Sequence, residues 1–410
     1  MPGGLLIDLE VRPVQNLDEF TNGVLSIGQY FGMVATEERM QRFSNLIPFE
    51  RMHAAWSNGA VVGGAGAFDF NLSVPGGDVR TSGVTVVGVT PTHRRRGVMR
   101  ALMRAQLDAA HEQGEPLAAL WASEETIYGR FGYGLAAFCG EITLDHEHTA
   151  FAQPFESEAT VRLIEPEEAL KRVPPVFDGV RALWPGMFSR NATWWEQREV
   201  SDPEDRRDGA GPKRWVVYER DGAIEGYASY RHRMGFEAGV TTAELRIVEA
   251  LGTTPEALRD LWAYLLAIDW IATVKASLLP PDHPIFLLLA KPRRLRYRMG
   301  DGLWVRLVDV GKALSGRTYA ADGSIVFEVT DDFCPWNEGR WKLEGGIAER
   351  TKDDADLKLP VQTLGAAFLG GISFGALQRA GRLVEVMEGA VARADALFGW
   401  DRHPWCPEIF

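Results

Sequence analysis

The chain has 410 residues, too long for one ordinary core and suited to two or three domains. Its 46% hydrophobic and 24% charged residues are those of a globular protein, and no apolar run approaches the roughly 18 residues of a membrane span. A formal net charge of −12 argues against general nucleic-acid binding; it points weakly to cationic partners, since acidic surfaces also serve solubility.

The opening residues, Met1–Asp8, carry neither a basic region nor a long apolar stretch, so no signal peptide is expected. Cys139, Cys334 and Cys406 are scattered, without CxxC spacing, and support neither a zinc site nor a disulfide framework; a reduced, cytoplasmic protein is the expectation. Up to about residue 155 the pattern alternates strands and helices. Residues 60–74 and 84–89 read as strands, with Pro75-Gly76-Gly77 as a turn after the first. A helix is predicted over about 96–113, with Val98, Leu102, Leu107 and Ala110 near one face and Gly114 as its stop. Residues 117–121 form a short apolar run expected as a buried parallel strand.

A second region, 156–297, repeats this outline, with strands at 215–218, 224–230 and 244–250 and a helix over 254–269. Ahead of these strands lies a polar loop, 201–213. LRIVEALGTTPEALRDLWAYL here parallels VTVVGVTPTHRRRGVMRALM in the first region, but lacks its arginines, which reads as one active copy and one degenerate copy. A third region, 298–410, starts at a basic stretch read as a linker, KPRRLRYR (Lys291–Arg298). It mixes strands (302–309, 324–329) with helices near 361–368, 373–379 and 385–398, and ends on an aromatic, proline-stiffened tail expected to be docked rather than frayed.

The most informative stretch is Val84–Arg100, where a strand runs into a turn holding Gly97 and a helix begins. A helix N-terminus leaves N–H groups unpaired and carries the positive end of the helix dipole, which makes an anion site. Gly97 lets the backbone approach a ligand, and Arg94, Arg95, Arg96 and Arg100 suit phosphate. The strand edge Val87–Val89 is free to pair with an extended, amide-containing arm. A pyrophosphate joined to an amide-rich arm describes coenzyme A. The run Gly63-Gly64-Ala65-Gly66 lacks the spacing of a dinucleotide fingerprint and reads as a strand with close backbone contacts.

The turn Arg94-Arg95-Arg96-Gly97-Val98-Met99 resembles the phosphate loop of GNAT N-acetyltransferases, Arg/Gln-x-x-Gly-x-Gly/Ala, with Met99 in place of the final small residue. With Ala122–Gly134 and the aromatic C-terminus, the chain resembles the Eis (enhanced intracellular survival) family, closely over 84–134 and at the extreme end, more loosely elsewhere. The resemblance implies an α/β (α+β) fold of two tandem GNAT-like domains (1–155 and a degenerate 156–297) and a sterol-carrier-protein-like domain (298–410), assembled as a homohexamer. It implies acetyl-CoA as cosubstrate, no metal, and a cationic amine as acceptor: an aminoglycoside, a polyamine or lysine. Val87, Gly88 and Val89 would hold the cofactor arm; Arg95, Arg96, Gly97, Val98, Met99 and Arg100 the pyrophosphate; Ser123 and Glu124 would touch the cofactor from the next strand. Tyr128 matches the family's general acid and the α-carboxylate of Phe410 its general base. Trp195 is assigned to a wall of the amine pocket, Glu408 to substrate binding as well, and Glu408 and Ile409 lie next to the base.

The chemistry asks for those roles: an ammonium must lose a proton before it attacks the thioester, and the departing thiolate must gain one. A phenol near pKa 10 facing a thiol near 8.5 is mismatched by about 1.5 units, roughly 2 kcal/mol, a gap that burial and a nearby helix are expected to close. Tyr133 serves as the contrasting core tyrosine. His93 reads as a turn residue, and no HxxxH or HExxH pair marks a metal site. Asp353, Asp354 and Asp356 read as a solvated loop. The rival function is an apolar-ligand carrier with a vestigial acetyltransferase module, against which the arginine turn and Tyr128 stand.

Overall fold

The computed structural model describes residues 8–157 and 159–410 and resolves the chain into two compact units. The expectation about a leader falls on residues 1–7, outside those described. One unit takes the chain up to Ala136, Leu303–Trp400 and Phe410; the other takes Ala137–Gly302 and Asp401–Ile409. Among the described residues no helix is long and apolar enough to cross a membrane.

In the first unit a seven-stranded sheet runs Glu10–Pro13, Met52–Ser57, Ala60–Val74, β1 (Gly77–Val89), β2 (Leu117–Trp121), Leu303–Leu307, Gly134–Leu135. All neighbours are antiparallel except β1 and β2, which α1 (Val98–Glu112) connects as a crossover. Val98, Leu102, Met103, Leu107 and Ala110 recur at helical spacing and bury one face of α1. Against β1 lies the helix Leu17–Gly28, so close that a Cβ on Gly88 would stand 2.4 Å from that of Ile27. Arg51, buried, grips the return from α1 through Glu115 (2.8 Å) and Gln113 (2.7 Å). The same unit carries a five-stranded sheet, Ile347–Arg350, Gly339–Glu344, Ser324–Thr330, Leu357–Pro360, Val384–Glu385, with helices Val361–Ala367, Phe374–Arg379 and Ala390–Phe398.

The second unit repeats the sheet plan: Arg298–Asp301, Phe138–Asp145, β4 (Thr273–Leu279), β3 (Glu244–Gly252), Ala223–Arg233, Arg214–Arg220, Thr160–Ile164. Again one pair is parallel, β3 with β4, joined by α2 (Pro255–Leu266).

Several expected boundaries move. The first compact unit's N-terminal stretch stops at Ala136 rather than 155, because Phe138–Asp145 pairs with β4 and Arg298–Asp301 in the second sheet. Leu303–Leu307 extends the first sheet by pairing with β2, so Leu303–Trp400 shares a unit with the first domain. The basic stretch is no linker: Leu295 is fully buried and Arg298 opens a strand. A last helix expected from 385 begins at Ala390, while Glu385 lies in a strand and accepts from Val391 N–H (3.0 Å). Asp356, expected in solvent, accepts from Val326 N–H (2.8 Å) and pairs with Arg393 (2.6 Å).

Candidate active site

A β-bulge opens the site. Gly64 pairs with Gly88 and Gly66 with Thr85, so β1 carries an extra residue there, and Val86 takes a left-handed φ of 48°. Parallel pairing of β1 with β2 ends at Gly83 opposite Ala119; beyond it the two strands run on unpaired with each other. The widening split leads to a cavity of about 650 Å³. Val87, Gly88 and Val89 line it on one side and Ser123, Glu124 and Tyr128 on the other.

The turn above β1 closes the cavity's end. His93 Nδ1 lies 3.3 Å from Thr90 Oγ1 and 3.0 Å from Thr92 Oγ1, which makes it a brace of the turn. Arg95 (φ 60°) and Gly97 (φ 86°) both take the left-handed conformation. Gly97 is the N-cap of α1 and supplies no side-chain cap, and the first turn holds no acidic residue. The leading N–H groups of this 15-residue helix are therefore left for a ligand. A Cβ on Gly97 would meet nothing within 4 Å, so glycine is required for its φ rather than for space inside the protein. Arg94, Arg95, Val98, Met99 and Arg100 line the cavity; Arg96, expected there, is exposed and is not part of the lining. Arg100 also lies 5.1 Å from the Phe333 ring.

The short helix Glu125–Tyr128 presents Tyr128, which is 5% exposed. Glu124 braces that helix, accepting from Thr126 Oγ1 at 2.9 Å. Burial pushes the Tyr128 phenol up to about 12, only partly opposed by its hydrogen bond with Ser123. The expectation that burial would bring phenol and thiol together is thus corrected: desolvation penalises the phenolate and widens the gap. Tyr133 stands edge-on to Tyr128 with centroids 6.0 Å apart, fully buried, its hydroxyl without a hydrogen-bond partner among the described residues. Phe410 is 9% exposed and sets its ring edge-on against Phe70 (5.3 Å) and Phe68 (6.2 Å) of Ala60–Val74; it is not among the residues lining the cavity.

Two residues of the lining carry no signal in the sequence. Tyr30 donates its hydroxyl to Val89 O (2.9 Å), and Phe31 beside it is 68% exposed at the same cavity. Both follow the helix Leu17–Gly28 in a 3₁₀ turn, Gln29–Phe31, which has no motif.

The other assigned residues lie in the second unit. Trp195 packs in its core, 3% exposed and edge-on to Phe177, which corrects its assignment to a pocket wall: a side chain surrounded by core has no face for a substrate. Glu408 accepts from Arg190 Nε (3.2 Å) and Trp194 Nε1 (3.0 Å). Burial raises it to about 7, against the pull of Arg190 and with Glu199 and Glu249 adding to the rise. Ile409 is 54% exposed, its carbonyl accepting from Arg198. The tail is docked, as expected, by Trp405, whose N–H donates to Pro185 O (2.7 Å) and whose indole donates to Leu278 O (2.5 Å). All three cysteines are buried thiols in no disulfide, and among the described residues no three His, Cys, Asp or Glu side chains gather as a metal site.

Comparison with known proteins agrees with this geometry. Residues 10–136 and 186–307 each match a family described as acetyltransferase (GNAT) domain, and residues 310–407 match the sterol carrier protein domain. A Streptomyces coelicolor protein named as an uncharacterized N-acetyltransferase is 40% identical over 94% of this chain and 95% of its own. The N-acetyltransferase Eis of Mycobacterium tuberculosis is 33% identical over 83% of this chain and 84% of its own. The crystal structure of Eis1 from Mycobacterium abscessus superposes with a TM-score of 0.86 at 29% identity, covering 98% of this chain and 100% of that one. An open strand edge, an uncapped glycine turn and a relative of this identity and coverage lead to one conclusion: the chain belongs to the Eis family of GNAT N-acetyltransferases, with two GNAT domains followed by a sterol-carrier-like domain.

Proposed function

We propose that this N-acetyltransferase moves the acetyl group of acetyl-CoA directly to a primary amine of a cationic acceptor, an aminoglycoside, a polyamine or lysine. The observation that carries the reading is one cavity that joins the open edge Val87–Val89, the uncapped N-terminus of α1 and Tyr128. Backbone groups of Val87 and Val89 hold the amide arm, and the Arg94–Arg100 turn holds the pyrophosphate. The α-carboxylate of Phe410 accepts the proton of the acceptor ammonium, directly or through a water. The neutral amine nitrogen then bonds to the acetyl carbon and the carbon–sulfur bond breaks; the second nitrogen-bound proton, acidic once nitrogen is acylated, passes to the departing sulfur, which Tyr128 faces, leaving the amide and the free thiol.

With its phenol at about 12, Tyr128 keeps its proton throughout neutral pH. Complete transfer to a thiolate near 8.5 is uphill by about 3.5 units, on the order of 5 kcal/mol. Tyr128 therefore acts first as a hydrogen-bond donor that stabilises charge growing on sulfur, with Ser123 supporting the charge it acquires. The same reading makes the enzyme a cytoplasmic homohexamer, for which a monomeric mass by light scattering is the contrary result.

One glycine added after Phe410 tests the base. It moves the carboxylate by about 3.5 Å while leaving the aromatic ring in place. Loss of turnover with acetyl-CoA affinity retained is expected; unchanged turnover assigns the base elsewhere.

A further inference from the structure

The second unit holds a cavity of about 520 Å³ that the acetyl-transfer reading does not use. It lies where β3 and β4 part, against Val248 and Leu278, with Pro407 and Ile409 of the tail forming part of its wall. Seven cationic side chains line it against four carboxylates, in a chain whose net charge is −12.

The deep end is net negative, with Arg190 facing three carboxylates. Arg190 makes a paired contact with Glu249 (2.9 and 3.1 Å) and a third bond to Glu408, with Glu199 beside them. The shallower part carries the cationic excess. Asp202 is shared between Arg231 (2.6 Å) and Arg207 (3.3 Å), while Arg198 reaches the carbonyl of Ile409, a partner that takes a hydrogen bond without removing a charge. These cations come from separate elements: Arg198 from the helical turn Trp195–Val200 and Arg231 from Ala223–Arg233, whereas Arg246 of β3 is already paired with Asp208 (2.8 Å) and Glu244 (3.1 Å). Gathering like charges in a concavity costs free energy that an anion relieves. Lys213 on the same wall is held below the usual lysine range chiefly by burial; Arg231 adds to the fall, and Glu199, Asp202 and Glu249 oppose it.

We propose that this cavity binds a small polyanion carrying phosphate or carboxylate groups, through Arg198, Arg207, Lys213 and Arg231. The volume admits a compact di- or trianion, and guanidinium forks suit both headgroups.

Titration calorimetry on the full-length chain, saturated with coenzyme A to occupy the first unit's turn, tests this with inorganic pyrophosphate and with citrate. One saturable site is expected for at least one probe; which probe binds separates phosphate from carboxylate recognition. Affinity should fall at least about tenfold in Arg198→Gln/Arg207→Gln, and also on raising salt from about 50 to about 500 mM. Arg95→Gln, in the first unit's turn, should leave it unchanged. Melting temperature and coenzyme A binding report whether the double variant is folded; if it is not, Arg198→Gln alone is used. Absence of saturable binding for both probes overturns the proposal, as does binding lost in Arg95→Gln and kept in the cavity variant.

Discussion

The two GNAT domains place the same strand–turn–helix skeleton in the two units and make opposite use of it. In both, a bulge next to the parallel pair marks where the strands part: β1 carries its extra residue near Val86, and β3 carries Val248 between Ile247 and Glu249. The first helix starts at Gly97 with no side-chain cap. The second starts at Thr254, whose hydroxyl accepts from Ala257 N–H (3.2 Å), with Pro255 removing another donor and Glu256 placing a negative charge in the first turn. Glu225 adds a second carboxylate, 3.4 Å from Thr254 Oγ1. The split is lined as differently as the turn: beside β1 it opens into the cavity that reaches Tyr128, whereas between β3 and β4 it opens into the arginine-lined cavity, and the Trp405 indole donates to Leu278 O. The two helix starts thus differ as much by the missing cap as by the added arginines.

The largest expected effect breaks the first copy. Gly97→Asp should eliminate acetyl-CoA binding by calorimetry while the protein stays folded, since the added side chain meets no protein atom and costs only the left-handed φ, about 1 kcal/mol. Its carboxylate would stand where an anion is needed. Undiminished affinity would remove the cofactor assignment.

Tyr128→Phe should lower kcat by about 10²–10⁴-fold with acetyl-CoA affinity nearly unchanged. The pH profile sharpens this. A phenol raised to about 12 keeps its proton below that pH and loses it above, so the wild-type rate should rise with amine deprotonation and show no Tyr128-dependent fall below about pH 11. A descending limb near pH 9 that vanishes in Tyr128→Phe would contradict the burial effect.

For the second copy, acetyl-CoA titration of the wild type should give one site per chain, and Thr254→Ala should cost about 1 kcal/mol of stability without creating another. Two sites of similar affinity would erase the distinction drawn between the turns.

The smallest effect belongs to Tyr30→Phe. Its hydroxyl holds the last carbonyl of β1, so its removal should loosen that edge and raise the acetyl-CoA dissociation constant only a few-fold, about 1 kcal/mol. A change confined to acceptor KM would move Tyr30 to the amine's side of the cavity.

Much of this is legible in local pattern. The apolar spacing of 98–110 specifies α1, and Arg94–Gly97 marks its uncapped start, since a helix end depends on a few adjacent residues. Thr254-Pro255-Glu256 likewise specifies a capped helix start through three neighbouring side chains. Aromatic and proline content alone marks the tail as a segment that docks.

Tertiary structure decided what no local pattern encodes. Apolar strands such as Phe138–Asp145 and Leu303–Leu307 are equally suited to either sheet, and only the choice of edge assigned them. Trp195 and Tyr30 carry no signature of wall or core; packing made the first a core residue and a single hydrogen bond brought the second to the cavity. The Tyr128 phenol moved away from the thiol rather than toward it because desolvation depends on the surrounding atoms, which the one-dimensional sequence does not specify.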